Sequence, residues 1–136
     1  MRGHGLRDAV EGSGGDGDGF SIGGNHLEHG ARKNINLTYV IMDNFVYGLT
    51  KKQTSPTSPL GFKSKTDAWG AVDQPINPMK QAIAAGATFV ARTVDVYPQH
   101  MKDILARAAH HKGTAFIEIY QNCNIFNDGA FKSVTE

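Results

Sequence analysis

The chain has 136 residues, enough for one domain around a single core and short for an enzyme built from two cofactor-binding halves. Its composition, 40% hydrophobic and 20% charged, is that of a globular protein. With 14 Lys and Arg against 13 Asp and Glu, the net charge of +1 excludes recruitment of nucleic acid or an anionic membrane by a broad field, so any anion must be held by local geometry. Residues 1–11 carry no apolar signal core, and no apolar run approaches the length of a membrane span, so a cytoplasmic location is the expectation. The one cysteine, Cys123, excludes an internal disulfide and alone cannot complete a four-ligand metal or iron–sulfur site.

In chain order, residues 12–24 (GSGGDGDGFSIGG) form a glycine-rich loop, and the pattern predicts a helix over residues 21–33 with Ser21 as its N-cap. Residues 37–42 (LTYVIM) read as a buried strand bounded by asparagines and by Asp43-Asn44. Residues 48–73, with Pro56, Pro59, Gly61 and many Ser, Thr and Lys, make a loop too long for an ordinary connection, and it is expected near a functional site. Asn77-Pro78 opens a helix that runs through Ala85 and stops at Gly86, and residues 88–94 make a second strand. A helix over residues 98–112 presents Met101, Ile104, Leu105 and Ala108 on one face and closes at Gly113, before a strand over residues 114–120. Strands alternating with helices define an α/β fold with a mostly parallel sheet and flanking helices, a single domain over residues 1–136. Residues 1–13 are expected to be an irregular or remnant segment: Arg7, Asp8, Ala9, Val10 and Glu11, three of them charged, do not make the apolar strand that normally precedes such a loop.

Three chemistries compete for the glycine loop. Gly12, Gly14 and Gly17 satisfy the G-x-G-x-x-G spacing, but the dinucleotide reading needs a preceding strand and a helix opening on the third glycine. Asp16 and Asp18 resemble the start of an EF-hand, which then fails at Phe20, Ser21 and Leu27. The thiamine diphosphate signature is Gly-Asp-Gly, a helix and strand, then an asparagine; here Gly15-Asp16-Gly17 is followed by Asn44 after 26 intervening residues. That spacing brings Asp16 and Asn44 to the carboxyl ends of neighbouring strands, the usual ligand edge of an open α/β sheet. Oxygen ligands of this kind suit magnesium bridging protein and diphosphate, with Gly17 and Gly19 allowing close backbone approach and the helix from Ser21 offering N–H groups.

The longer strings GDGDGFSIGGNH (residues 15–26), NINLTYVIMDN (34–44), VYGLTK (46–51) and QTSPTS (53–58) closely resemble the beta subunit of 2-oxoacid:ferredoxin oxidoreductases, particularly the 2-oxoglutarate type, over most of the chain from Gly14 onward. The resemblance implies a partial thiamine-diphosphate-binding fold truncated at both ends. It implies that Asp16, the Asn44 side chain and the Val46 carbonyl ligate Mg2+, and that Gly15, Gly17, Asp18, Gly48 and Leu49 contact thiamine diphosphate. Lys51 corresponds to the lysine that faces the substrate carboxylate; the plain alternative is a solvated loop charge. Cys123 aligns with one of four ligands to a [4Fe–4S] cluster that is incomplete in this chain. The expected partners are an alpha subunit in a heterodimer, ferredoxin, a 2-oxoacid and coenzyme A. The rival expectation is a non-catalytic fragment that keeps the magnesium–diphosphate site without its cluster.

The remaining candidates have plainer readings. The resemblance implies that His4-Gly5 is the remnant of a family segment that approaches the cofactor; His26 and His29, one turn apart, lack a third metal ligand. His110 and His111 suit a helix C-terminus, Glu28 interrupts an apolar helix face, and Trp69 is expected to be a packing anchor.

Overall fold

The structure is a computed structural model that describes residues 10–136; His4 and Gly5 lie outside the described residues. Four parallel strands form one sheet: β1 (Val10–Gly15), β2 (Leu37–Asp43), β5 (Phe89–Val94) and β6 (Thr114–Tyr120), in the spatial order β1-β2-β6-β5. A two-stranded antiparallel ribbon of β3 (Val46–Tyr47) and β4 (Gln53–Thr54) follows β2. The helices are α1 (Asp16–Phe20), α2 (Gly24–Lys33), α3 (Pro78–Ala84), α4 (Pro98–His110) and α5 (Lys132–Thr135). No helix among the described residues is long and apolar enough to cross a membrane.

The apolar run of β6 is buried from Thr114 to Ile119 because the strand lies at the sheet centre with helices on both faces. On one face Phe20, Leu27, Ile41, Ala82 and Phe116 pack together; on the other, Ile104 and Ala108 of α4 cover Ala115, Ile117 and Ile119. Pro at N1 and the Asn77 side chain, which accepts from the Lys80 N–H at 3.0 Å, start α3 as its sequence predicts. Asn34 ends α2 in the left-handed region (φ 47°), and its side-chain oxygen accepts from the Thr114 N–H at 2.8 Å, which ties the helix end to the head of β6.

Three expectations are corrected. Residues 10–13 are not irregular: with Gly14 and Gly15 they form β1, paired in parallel with β2 from Val10↔Leu37 to Gly15↔Met42. A terminal strand needs only backbone pairing on one side, so its exposed, polar residues suffice where a central strand would need an apolar run. The helix predicted over residues 21–33 is broken: α1 begins at Asp16, Ser21 lies beyond its end, and α2 is N-capped by Gly23 with no side-chain hydrogen bond. Trp69 is 98% exposed and anchors nothing.

Candidate cofactor site

Strand direction fixes the site. In the sheet register Gly15 lies beside Met42, and Asp43 beside Tyr120, so the residues following β1, β2 and β6 emerge at one carboxyl edge. Asp16, the first residue of α1, is 2% exposed, and Asp43, the last residue of β2, is fully buried. The long loop supplies their partner: Thr57, 3% exposed, sets its Oγ1 2.9 Å from Asp16 Oδ2 and 2.9 Å from Asp43 Oδ1. One hydroxyl carries one proton, so it donates to one carboxylate at a time, and a proton on the other carboxyl or a nearby cation would relieve the pair.

The electrostatics agree. Burial pushes the Asp16 carboxyl above its usual range, against hydrogen bonds from Ser55, Thr57 and the Asp16 and Asn44 backbone that pull it down. Asp43 is pushed up to about 8, by burial first, then by the charge of Asp16 and a hydrogen bond with the Glu118 carboxyl, against the Phe45 N–H and Thr57. Asp43 Oδ2 and Glu118 Oε1 are buried acceptors with no donor, so the hydrogen bond between the two carboxyls forms only when Asp43 carries a proton. Glu118 is itself held by Arg92, whose Nε lies 2.6 Å from Glu118 Oε2. A chain of contacts therefore runs from Arg92 on β5 through Glu118, Asp43 and Thr57 to Asp16.

The turn after β2 is tightly bound to itself. The Phe45 N–H donates to Asp43 Oδ1 at 3.0 Å, and the Val46 N–H to Asn44 Oδ1 at 3.2 Å. Phe45 sits at φ 61°, unusual for a bulky residue, as do Lys51 and Lys52 at 66° and 72° in the turn between β3 and β4.

These placements sort the residues singled out by sequence. Gly15, Asp16, Asn44 and Val46 come together at the carboxyl edge, with Val46 buried in β3. Asp18 is exposed on α1. Gly48, Leu49 and Lys51 lie together on the β3–β4 turn, where Leu49 is 98% exposed and Lys51 forms no salt bridge among the described residues. Cys123 is a free, half-buried thiol beyond β6. Gly17 and Gly19 also admit side chains of the protein itself: a Cβ on Gly17 would lie 2.1 Å from the Tyr47 ring, and one on Gly19 would lie 2.5 Å from Ile41 Cδ1. Both serve close packing within the protein, and the Tyr47 hydroxyl donates to the Gly17 carbonyl at 3.0 Å. His26, Glu28 and His29 are exposed, and no group of three His, Cys, Asp or Glu side chains forms a metal cluster among the described residues.

The donor set nevertheless fits a small hard cation completed by ligand oxygens. It offers one buried carboxylate, an amide oxygen and a backbone carbonyl, beside a second buried carboxyl with an unpartnered oxygen. Sequence reading missed Asp43, Thr57, Glu118 and Arg92. Two signals were visible: Asp43 beside Asn44 at the end of an apolar strand, and Glu118 inside the otherwise apolar TAFIEIY.

A parallel α/β sheet with buried carboxyls at its carboxyl edge has the layout in which open α/β domains bind their ligands. Residues 6–119 match the family described as thiamine pyrophosphate enzyme, C-terminal TPP binding domain, and the chain belongs to that family. It is 49% identical over 120 residues to the 2-oxoglutarate oxidoreductase subunit KorB of Mycobacterium tuberculosis, covering 88% of this chain and 32% of that one. It is 44% identical over 116 residues to the 2-oxoacid:ferredoxin oxidoreductase subunit beta of Saccharolobus solfataricus, covering 85% and 38%. A similar solved structure is the 2-oxoglutarate:ferredoxin oxidoreductase from Magnetococcus marinus with 2-oxoglutarate, coenzyme A and succinyl-CoA bound. The match has a TM-score of 0.83 and 46% identity, covering 85% of this chain and 40% of that one. The chain thus spans between about a third and two-fifths of the length of these relatives.

Proposed function

We propose that this chain is the thiamine-diphosphate- and magnesium-holding part of the beta subunit of a 2-oxoacid:ferredoxin oxidoreductase, of the 2-oxoglutarate type. The observation that carries the proposal is the burial of Asp16 beside Asp43 at the carboxyl edge, two carboxyls in one site that a divalent cation would compensate. The Asp16 carboxylate, the Asn44 side-chain oxygen and the Val46 carbonyl hold Mg2+. Gly15, Gly17, Asp18, Gly48 and Leu49 contact the cofactor, and Thr57 keeps the Asp16 carboxylate oriented through its 2.9 Å hydrogen bond.

When bound, thiamine diphosphate supplies the carbanion chemistry of oxidative decarboxylation with coenzyme A as acyl acceptor. The protein's residues bind and orient. Lys51, on an exposed turn in the left-handed conformation, is free to pair with a 2-oxoacid carboxylate. Cys123 contributes one ligand to a [4Fe–4S] cluster that needs three further ligands from outside this sequence. An alpha subunit and ferredoxin complete the reaction, one supplying the rest of the cofactor pocket and the other accepting electrons singly.

Calorimetric titration of thiamine diphosphate with magnesium into the full chain, with and without an alpha subunit, tests this reading. Magnesium-dependent binding that disappears in Asp16→Ala supports it; no magnesium-dependent binding in either setting overturns it. A second reading is a magnesium–diphosphate module without electron transfer. It predicts binding without an iron–sulfur spectrum after reconstitution with an alpha subunit.

A further inference from the structure

The segment that follows β6 returns to the turn that follows β2. Asn127 Nδ2 donates to the Asn44 carbonyl at 2.9 Å, and the Gln121 N–H donates to the Asp43 carbonyl at 2.9 Å. The Phe131 ring, 5% exposed, lies with its centroid 4.6 Å from that of Phe45 and is stacked on Tyr120 at 4.3 Å and 17°. Tyr120 meets Phe45 edge-on at 5.6 Å, and Arg92 lies over the far side of that stack, 4.6 Å from the Tyr120 centroid. From the other direction Ser58 Oγ donates to the Phe45 carbonyl.

Phe131, Tyr120 and Ser58 contact Phe45 itself, and Asn127 and Gln121 hold the two residues before it, so these contacts surround a residue in an unfavourable conformation. Phe45 at φ 61° persists only where its surroundings fix it, and an unheld Phe45 relaxes to negative φ. That rotation swings the peptide planes on both sides of Phe45. It separates the Asn44 side chain, now bonded to the Val46 N–H, from the Val46 carbonyl. We infer that Asn127 and Phe131 are positioning residues that clamp Phe45 in the left-handed conformation and so aim the Asn44 and Val46 oxygens at one cation. The inference rests on the magnesium site proposed above.

The test uses the full chain and its Asn127→Asp and Phe131→Leu variants. Asn127→Asp keeps the shape of the side chain and replaces the donor with an acceptor facing the Asn44 carbonyl; Phe131→Leu keeps apolar bulk and removes the ring stack. Hydrogen exchange of the Phe45 and Val46 amides is followed without metal, with the Ile117 amide of β6 reporting that the fold is intact. Magnesium half-saturation is then measured calorimetrically at fixed thiamine diphosphate.

Faster exchange at Phe45 and Val46, an unchanged Ile117 amide, and a magnesium half-saturation raised roughly tenfold or more are expected for both variants. Excess magnesium should restore full thiamine diphosphate binding, which a merely unfolded variant would not show. Exchange equal to the parent's, or faster exchange with unchanged magnesium half-saturation, overturns the clamp while leaving the magnesium site standing. Absence of magnesium-dependent binding in the parent itself overturns the functional reading, and the positioning role with it.

Discussion

The Thr57 hydroxyl oxygen lies 2.9 Å from Asp16 Oδ2 and so fastens the long loop to the first residue of α1. Thr57 lies 41 residues further along the chain than Asp16, yet both are buried in the same site. Removing the hydroxyl leaves the Asp16 and Asp43 carboxyls with one fewer donor in a dry environment. Thr57→Val is therefore expected to destabilise the chain by about 1–3 kcal/mol, and Thr57→Ser to restore most of the loss. Urea unfolding of the three proteins checks this, and equal stability of Thr57→Val and parent would contradict it.

Asp16 should trade stability for binding. Its carboxyl is held above the usual range chiefly by burial, so its charged form is disfavoured when no cation is present. Asp16→Asn keeps the shape without the charge. It should raise the urea midpoint of the metal-free chain at neutral pH while removing magnesium-dependent thiamine diphosphate binding. A lowered midpoint together with lost binding would point to Asp16 as a structural residue alone.

Arg92 is the one cation bonded to the buried Glu118, at 2.6 Å, among the described residues. Breaking a buried pair from one side strands the remaining charge. Arg92→Met should cost about 3 kcal/mol, the low end for such a change, because a third of the Arg92 side chain remains in water. Adding Glu118→Gln should recover much of it, a coupling that a double-mutant cycle measures directly.

Tyr120 gives the fold an alkaline limit. Its hydroxyl is pushed up to about 12, by burial first and then by the charge of Glu118, with Asp43 adding to the rise and Arg92 opposing it. A folded pKa above the unfolded value of about 10 means stability fully present below that value and lost as pH rises through 12. Urea unfolding between pH 9 and pH 12, values chosen to bracket roughly the free and folded tyrosine ranges, should show a falling midpoint that is shallower in Tyr120→Phe. An identical slope in the variant would remove Tyr120 as the source.

The sequence by itself determined the alternation of strands and helices from residue 37 onward, because apolar runs and the Asn77-Pro78, Gly86 and Gly113 boundaries are local signals. It also determined that Asp16 and Asn44 share one edge, since a parallel crossover returns each strand in the same direction. The tertiary structure alone decided β1, whose polar residues become a strand only by pairing with β2. It alone decided which side chains pack against the glycines, because Tyr47 and Ile41 arrive at Gly17 and Gly19 from later in the chain. The same holds for Thr57, Glu118, Arg92, Asn127 and Phe131: each reaches the site across a long sequence separation. Glu118 is marked locally as a charge in an apolar strand, but the partners of all five depend on which elements are neighbours in space, and no local pattern encodes that.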